Sequence, residues 1–431
     1  MVVKEQIFPL KESALWHPCG SMNSDFYKTR LHIHRAQGDY LYLENGQPLI
    51  DAIGSWWCKV LGHNHPRLQQ ALIKQLHRYE HAIHANTTCE VLEELAARLV
   101  TLSPGLKKVF FASDGACAVE IAMKLSLHTR QLTGEKNRKD FIALQGGYHG
   151  ETCGALSVSD LGYYKAPYES LLRKAHFIGP LPFVNHKEDP LWKDASALWP
   201  AMEAQLTPFE KTATALILEP IVQGSNGMKI YSQDLLKRLA AWCNAHGVHL
   251  IADEIMTGLG RTGEMLASYH GNIHPDFITL SKGLTSGVLP CSVVLIHEKI
   301  YDLFVEKKEA FLHSHTFGGN PLAASVALEC LKVLEEEKIL ERTQTLEPLL
   351  RAHMESIAKK TGMLKEIRNL GGLVAAQVEG GPKVAQQVCE KALTQGALLR
   401  PLGDVLYWFP PLNVKEKTLE ELRDVTEFAL S

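Results

Sequence analysis

Apolar residues along this chain change their rhythm three times. Over residues 28–53 they alternate with polar ones. Leu31-His32-Ile33-His34 and Tyr40-Leu41-Tyr42-Leu43 read as short strands, the second closed by the turn Glu44-Asn45-Gly46-Gln47. From Pro66 to about His77 the spacing is helical: Leu68, Leu72 and Leu76 share a face, and Pro66 suits a first turn. Leu92, Leu95, Ala96 and Leu99 predict a second helix over 87–102. Short, solid apolar runs then take over at Lys107–Ala112, Phe141–Leu144, Ala213–Leu218, Val248–Ala252 and Phe277–Leu280. Helices are predicted between them over Val119–Leu132 and Gln233–His246. The Pro-rich, polar stretch 180–210 reads as a surface excursion. From Pro321 the helical rhythm returns, with Leu322, Val326, Cys330 and Leu334 on one stripe.

Solid apolar strands alternating with helices predict an α/β fold, a mostly parallel sheet covered on both faces. The segmentation is an N-terminal part, 1–60, belonging to a smaller domain; a large domain, 61–320; and a C-terminal α+β domain, 321–431. In such sheets ligands lie at the carboxyl ends of the strands, so the residues that follow each apolar run are the first candidates for chemistry.

Two successive ends pair an acid with a base. Val248–Ala252 runs into Asp253-Glu254, and Phe277–Leu280 runs into Ser281-Lys282-Gly283. A lysine at the end of a buried strand can form a Schiff base with an aldehyde cofactor, and an acid on a neighbouring strand can hold a pyridinium nitrogen. Together they point to a pyridoxal 5'-phosphate (PLP) centre. Gly115-Ala116, at a strand-to-helix junction, would offer backbone N–H groups to a phosphate. Of the adjacent Trp56 and Trp57, one is expected to line a pocket. Arg400, after the apolar run ending in Leu399, is placed to hold a substrate carboxylate.

Other patterns carry less. Gly258-Leu259-Gly260-Arg261-Thr262-Gly263 matches the dinucleotide fingerprint, but the stretch after it is too short for the required helix and strand. It reads instead as a loop that brings Arg261 near a site. His32/His34, His63/His65 and His313/His315 lack the acidic or cysteine partners of a metal site, and none is expected. A net charge of -3 gives no reason to expect nucleic acid or a membrane surface as a partner, and no apolar run is long enough to span a bilayer. Nine scattered cysteines without a C-x-x-C pair fit a reduced, cytoplasmic protein.

The run Leu250–Ile255, with Thr257–Gly263 and Ser281-Lys282-Gly283, resembles the signature of class III PLP-dependent aminotransferases. Further segments place the likeness in the branch that moves an amino group from S-adenosylmethionine to 8-amino-7-oxononanoate in biotin biosynthesis. They are Leu15-Trp16-His17-Pro18, Gly54-Ser55-Trp56-Trp57, Gly147–Thr152, Glu219–Gly224, Thr316–Ala323 and Arg400-Pro401-Leu402-Gly403. The resemblance covers nearly the whole chain. It implies the fold type I architecture and a homodimer with active sites at the subunit interface. It implies that Lys282 forms the Schiff base and moves the proton, that Asp253 keeps the ring nitrogen protonated, and that Tyr148 stacks on the ring and borders the substrate. Gly115, Ala116 and Thr316 would bind phosphate, with Thr316 and His315 reaching across from the other subunit. Trp56 and Ser314 would contact substrate, and Arg400 would anchor the oxononanoate carboxylate. Ala116 stands where relatives often have serine, Cys19 where tyrosine is common and Glu151 where aspartate is common; Cys19 and Glu151 would border the donor. The neighbouring readings are another ω-aminotransferase with lysine, ornithine or γ-aminobutyrate as donor and, from a different class, a nicotinamide dehydrogenase.

Overall fold

A computed structural model describes residues 15–19 and 31–431. Its main sheet has seven strands, in the order Leu106–Ala112, Ser292–His297, Phe277–Leu280, His249–Asp253, Ala213–Leu218, Asp140–Leu144 and His176–Ile178. Ser292–His297 runs antiparallel to both of its neighbours, and the other pairings are parallel. Every residue of Ala213–Leu218, His249–Asp253 and Phe277–Leu280 is buried, as expected for strands covered on both faces. This is the α/β architecture expected from the alternating runs.

The helix after the first of these strands begins at Gly115, not at Val119. Asp114 is the reason: its side chain accepts the Cys117 N–H at 3.1 Å and caps the helix. The two small residues behind it are thereby its first turn. The stretch 180–210 also departs from expectation. It holds the strand Phe183–Val184 and the helices Pro190–Lys193 and Trp199–Leu206, and it buries Trp192, Ala195, Met202 and Leu206 in a core with the helix Gln233–His246. Pro190 and Pro200 sit in first helical turns, while Pro180 and Pro182 lie in the connection before the strand Phe183–Val184.

The N-terminal strands Ile33–Gln37, Tyr40–Leu43 and Pro48–Asp51 form a sheet with Ala397–Leu398, which lies parallel to Pro48–Asp51 with Leu398 opposite Asp51. Leu364–Leu370, Leu373–Val378 and Val405–Trp408 make a further antiparallel sheet. Arg261 ties this sheet to the main body. Its buried guanidinium donates to the carbonyls of Gly372 (2.7 Å) and Pro410 (2.8 Å) and stacks 3.7 Å above Phe409. The glycine-rich loop therefore turns Arg261 into the core, and this residue lines neither cavity described below. Among the described residues no helix is long and apolar enough to cross a membrane, and no cluster of three or more His, Cys, Asp or Glu could hold a metal.

Candidate active site

The carboxyl ends of five sheet strands converge on a cavity of about 380 Å³ lined by Gly115, Ala116, Tyr148, Glu219, Asp253 and Lys282, among others. A second space of about 790 Å³ shares Cys19, Trp56, Trp57, Tyr148, Glu151 and Lys282 with it and extends to Arg400 and Tyr407. The two form one inner chamber and one outer vestibule.

In the chamber, register puts Asp253 opposite Thr279, three residues before Lys282. The Asp253 carboxylate is buried, and both of its oxygens have partners. One oxygen accepts the Ile255 N–H and the Thr279 hydroxyl, each at 3.2 Å, and the other lies 2.7 Å from His149 Nδ1. His149 is buried, and its Nε2 finds no partner among the described residues. With Asp253 as acceptor, Nδ1 carries the imidazole proton. Lys282 has a positive φ of 39°, and its Nζ lies 4.6 Å from the centre of the Trp57 ring. Burial pulls the Lys282 ammonium below the ordinary lysine range, against the opposing pull of Asp253 and Glu219. The result is an amine that loses its proton more readily, which a nucleophile requires.

Glu219 is the third charged strand end. It accepts the backbone N–H groups of Tyr148 and Gly224, each at 3.0 Å, and so clamps together the two loops that frame the chamber. Burial pushes its carboxyl up to about 7, with Asp253 adding to the rise while His149 and the two backbone donors oppose it. An acid with a higher pKa folded than unfolded holds its proton more tightly in the fold. Its stabilising contribution is present below the ordinary value of 4.5 and is lost as pH rises toward about 7. Glu219→Gln is expected to flatten the fall in unfolding free energy across that window in urea titrations; an unchanged slope would assign the fall to other groups.

The helix that starts at Gly115 supplies the fourth wall. A Cβ on Gly115 would come within 2.9 Å of Ile255, and one on Gly150 within 2.5 Å of Ala116 Cβ. Loop and helix start are pressed together, leaving the first-turn N–H groups at the chamber. Those groups lack intrahelical partners and suit an anion. A buried acid, a half-buried lysine and a helix N-terminus around 380 Å³ match the demands of PLP: a partner for a ring nitrogen, an amine for its aldehyde and donors for its phosphate.

In the vestibule, Arg400 lies with its guanidinium carbon 3.9 Å from the centre of the Trp56 ring. Trp57 is buried, packs against Phe409 and donates from Nε1 to the Tyr407 hydroxyl at 3.1 Å. Tyr148 donates to Glu151 at 3.2 Å, and burial with the Glu151 charge raises the phenol's pKa. The structure thus brings together Cys19, Trp56, Gly115, Ala116, Tyr148, Glu151, Asp253, Lys282 and Arg400. Ser314, His315 and Thr316 line neither space, and Ser314 and Thr316 are exposed.

Sequence reasoning missed Glu219 and His149. Glu219 ends a buried apolar run just as Asp253 does, and the same argument applied there would have found it. It also missed how Trp56 is presented. Gly54, Ser55, Trp56 and Trp57 all have positive φ (55°, 45°, 67° and 72°), a left-handed turn that costs about 1–2 kcal/mol at each non-glycine residue. Asp51 holds it, accepting the Ser55 N–H at 3.0 Å and the Ser55 hydroxyl at 2.6 Å.

The family described as aminotransferase class-III matches residues 22–430. Among curated proteins, the adenosylmethionine-8-amino-7-oxononanoate aminotransferase of Helicobacter pylori is 35% identical over 430 residues, 98% of this chain and 97% of its own. The protein of that name from Synechococcus elongatus is 36% identical over 420 residues, 95% of this chain and 96% of its own. Among solved structures, a PLP-bound amine transaminase from an uncultivated Pseudomonas species aligns with a TM-score of 0.89 at 28% identity, covering 97% of this chain and 98% of that one. The adenosylmethionine-8-amino-7-oxononanoate aminotransferase of Methanocaldococcus jannaschii aligns with a TM-score of 0.87 at 30% identity, covering 97% and 96%.

Proposed function

The chain belongs to the class III aminotransferases, and on that premise we propose that it transfers an amino group from S-adenosylmethionine to 8-amino-7-oxononanoate, giving 7,8-diaminononanoate, with PLP as cofactor. The observation that carries the reading is the vestibule: it begins at Lys282, runs along Trp56, Trp57 and Tyr407 and reaches Arg400. An acceptor with a reacting ketone, an aliphatic tail and a terminal carboxylate has that order of groups. The names of the relatives point the same way.

When bound, PLP supplies the electron sink for cleavage at the substrate Cα. The chain supplies the rest. Lys282 Nζ, with its lowered pKa, takes and returns the proton at that carbon. Asp253, fixed by His149 and Thr279, would hold a proton on the ring nitrogen. The N–H groups of Gly115 and Ala116 would take the phosphate, and Tyr148, which lines the same cavity, would border the ring. Trp56 and Trp57 keep water from the tail, and Arg400 binds its carboxylate. Glu151, held by Tyr148, and Cys19 border the donor.

The exposed Ser314 and Thr316, with the half-buried His315 between them, suit a homodimer in which this loop completes the neighbouring site. The reading also places the enzyme in biotin biosynthesis in the cytoplasm. It keeps the division into 1–60, 61–320 and 321–431, for which the pairing of Pro48–Asp51 with Ala397–Leu398 is the support.

A second reading, another ω-aminotransferase, draws on Cys19 and Glu151, which line both spaces. A donor screen with 8-amino-7-oxononanoate as acceptor separates the two. Turnover with S-adenosylmethionine is expected; turnover with lysine alone would overturn the donor. Arg400→Ala is expected to raise KM for the acceptor by roughly 10–100-fold, through loss of a charge-assisted carboxylate contact. An unchanged KM would remove Arg400 from the acceptor site.

A further inference from the structure

The turn that carries Trp56 has its own support, built from residues outside both spaces. Asp51 is 1% exposed. One of its carboxylate oxygens accepts the Ser55 N–H, and the other takes the Ser55 hydroxyl at 2.6 Å and lies 2.8 Å from His63 Nε2. His63, also buried, is fixed in turn by two backbone hydrogen bonds with Gly38, at 2.9 and 2.8 Å. The far side of the turn is closed by the chain near Phe409: the Phe409 N–H donates to the Ala52 carbonyl at 2.7 Å, and a Cβ on Gly54 would lie 2.8 Å from the Phe409 carbonyl oxygen.

Asp51 stands at the root of both vestibule walls. Its strand pairs with Ala397–Leu398, with Leu398 directly opposite, and Arg400 follows two residues later. Trp56 follows Asp51 by five residues and lies against that arginine. Backbone N–H groups of Trp57 and Cys58 donate to the carbonyls of Ile53 and Gly54 at 3.0 and 2.9 Å, yet ordinary L-residues prefer the opposite hand, so a left-handed run of Ser-Trp-Trp stays strained. The Asp51 carboxylate adds contacts to both the N–H and the hydroxyl of its first non-glycine residue.

We propose that Asp51, braced by His63, is a positioning residue for acceptor specificity: it holds the left-handed turn so that Trp56 backs Arg400, and thereby sets the affinity for the carboxylate-bearing substrate. The functional half of this inference rests on the reading of Arg400 given above; the structural half does not.

The test uses the PLP-loaded enzyme and has two arms. The first is hydrogen–deuterium exchange. In Asp51→Asn, one oxygen can no longer accept, and the amides of 54–58 are expected to exchange roughly tenfold faster while those of the main-sheet strands hold their protection. No acceleration at 54–58 overturns the inference, whatever the enzyme turns over. The second arm is kinetic. Asp51→Asn is expected to raise KM for 8-amino-7-oxononanoate about tenfold and to shift KM for its methyl ester far less, with single-turnover conversion by the amino donor unchanged. Ser55→Ala, which removes only the hydroxyl contact, should move the same KM about threefold and guards against misfolding of the first variant. Equal shifts for acid and ester, or no shift in a folded variant with accelerated exchange, overturn the specificity role. A parent enzyme that does not distinguish acid from ester sinks the substrate reading instead, and the exchange arm still decides the brace.

Discussion

Lys282→Ala is expected to lose amino transfer by about a thousandfold or more, the range seen when a residue serving as both nucleophile and proton carrier is removed. Among the described residues lining the chamber it is the single lysine; Lys229 lines only the vestibule. Its burial gives the prediction a second side. The fold holds this amine at a cost, because burial disfavours its charged form. The apo variant should therefore melt no lower than the parent, and a loss of activity with an unchanged or raised Tm separates chemistry from misfolding. Borohydride reduction in the presence of PLP followed by peptide mass mapping should mark Lys282 in the parent and nothing in the variant. A variant that kept its turnover, or labelling at another lysine, would end the assignment.

The legible parts of this fold are those where one residue's neighbours in space are also its neighbours in pattern. Buried parallel strands show as solid apolar runs, and Asp253 and Lys282 could be found because each is the first charge after such a run. The stretch 180–210 was misread because proline marks both a loop and a first helical turn; its buried Trp192 and Met202 decide between them only once the helix they cover is known. Arg261 shows the opposite error. Glycines around an arginine suggest a loop that brings it to a site, but here they make room for a guanidinium that bonds the carbonyls of Gly372 and Pro410, more than 100 residues away. The brace at Asp51 was hidden for a related reason. An Asp four residues before a Ser carries no helical meaning in a strand-turn context, and His63 joins it only through tertiary contact. Ser314, His315 and Thr316 are a different case. They carry a family pattern yet line neither the chamber nor the vestibule, so pattern alone does not bring them to the site.

Asp253→Asn tests the other end of the ring. The amide is nearly isosteric, so the contact with Thr279 survives, but its charge is gone and its nitrogen must face either His149 or the chamber. A neutral partner cannot hold a proton on a pyridine nitrogen, and the ring without that proton is a weaker electron sink. Amino transfer is expected to fall by about 10²–10³-fold, the scale on which a fixed charge acts in a water-poor site. His149 shares the consequence: its Nδ1 proton now points at a group that accepts through one atom only, so His149→Gln should reproduce part of the loss, about tenfold. A PLP analogue methylated on the ring nitrogen carries the positive charge permanently. It should restore much of the rate to Asp253→Asn and nothing to Lys282→Ala. Full activity of Asp253→Asn with ordinary PLP would overturn the electrostatic role. Failure of the methylated analogue to rescue a correctly folded variant would show that Asp253 acts by shaping the chamber, through His149 and Thr279, and not by its charge.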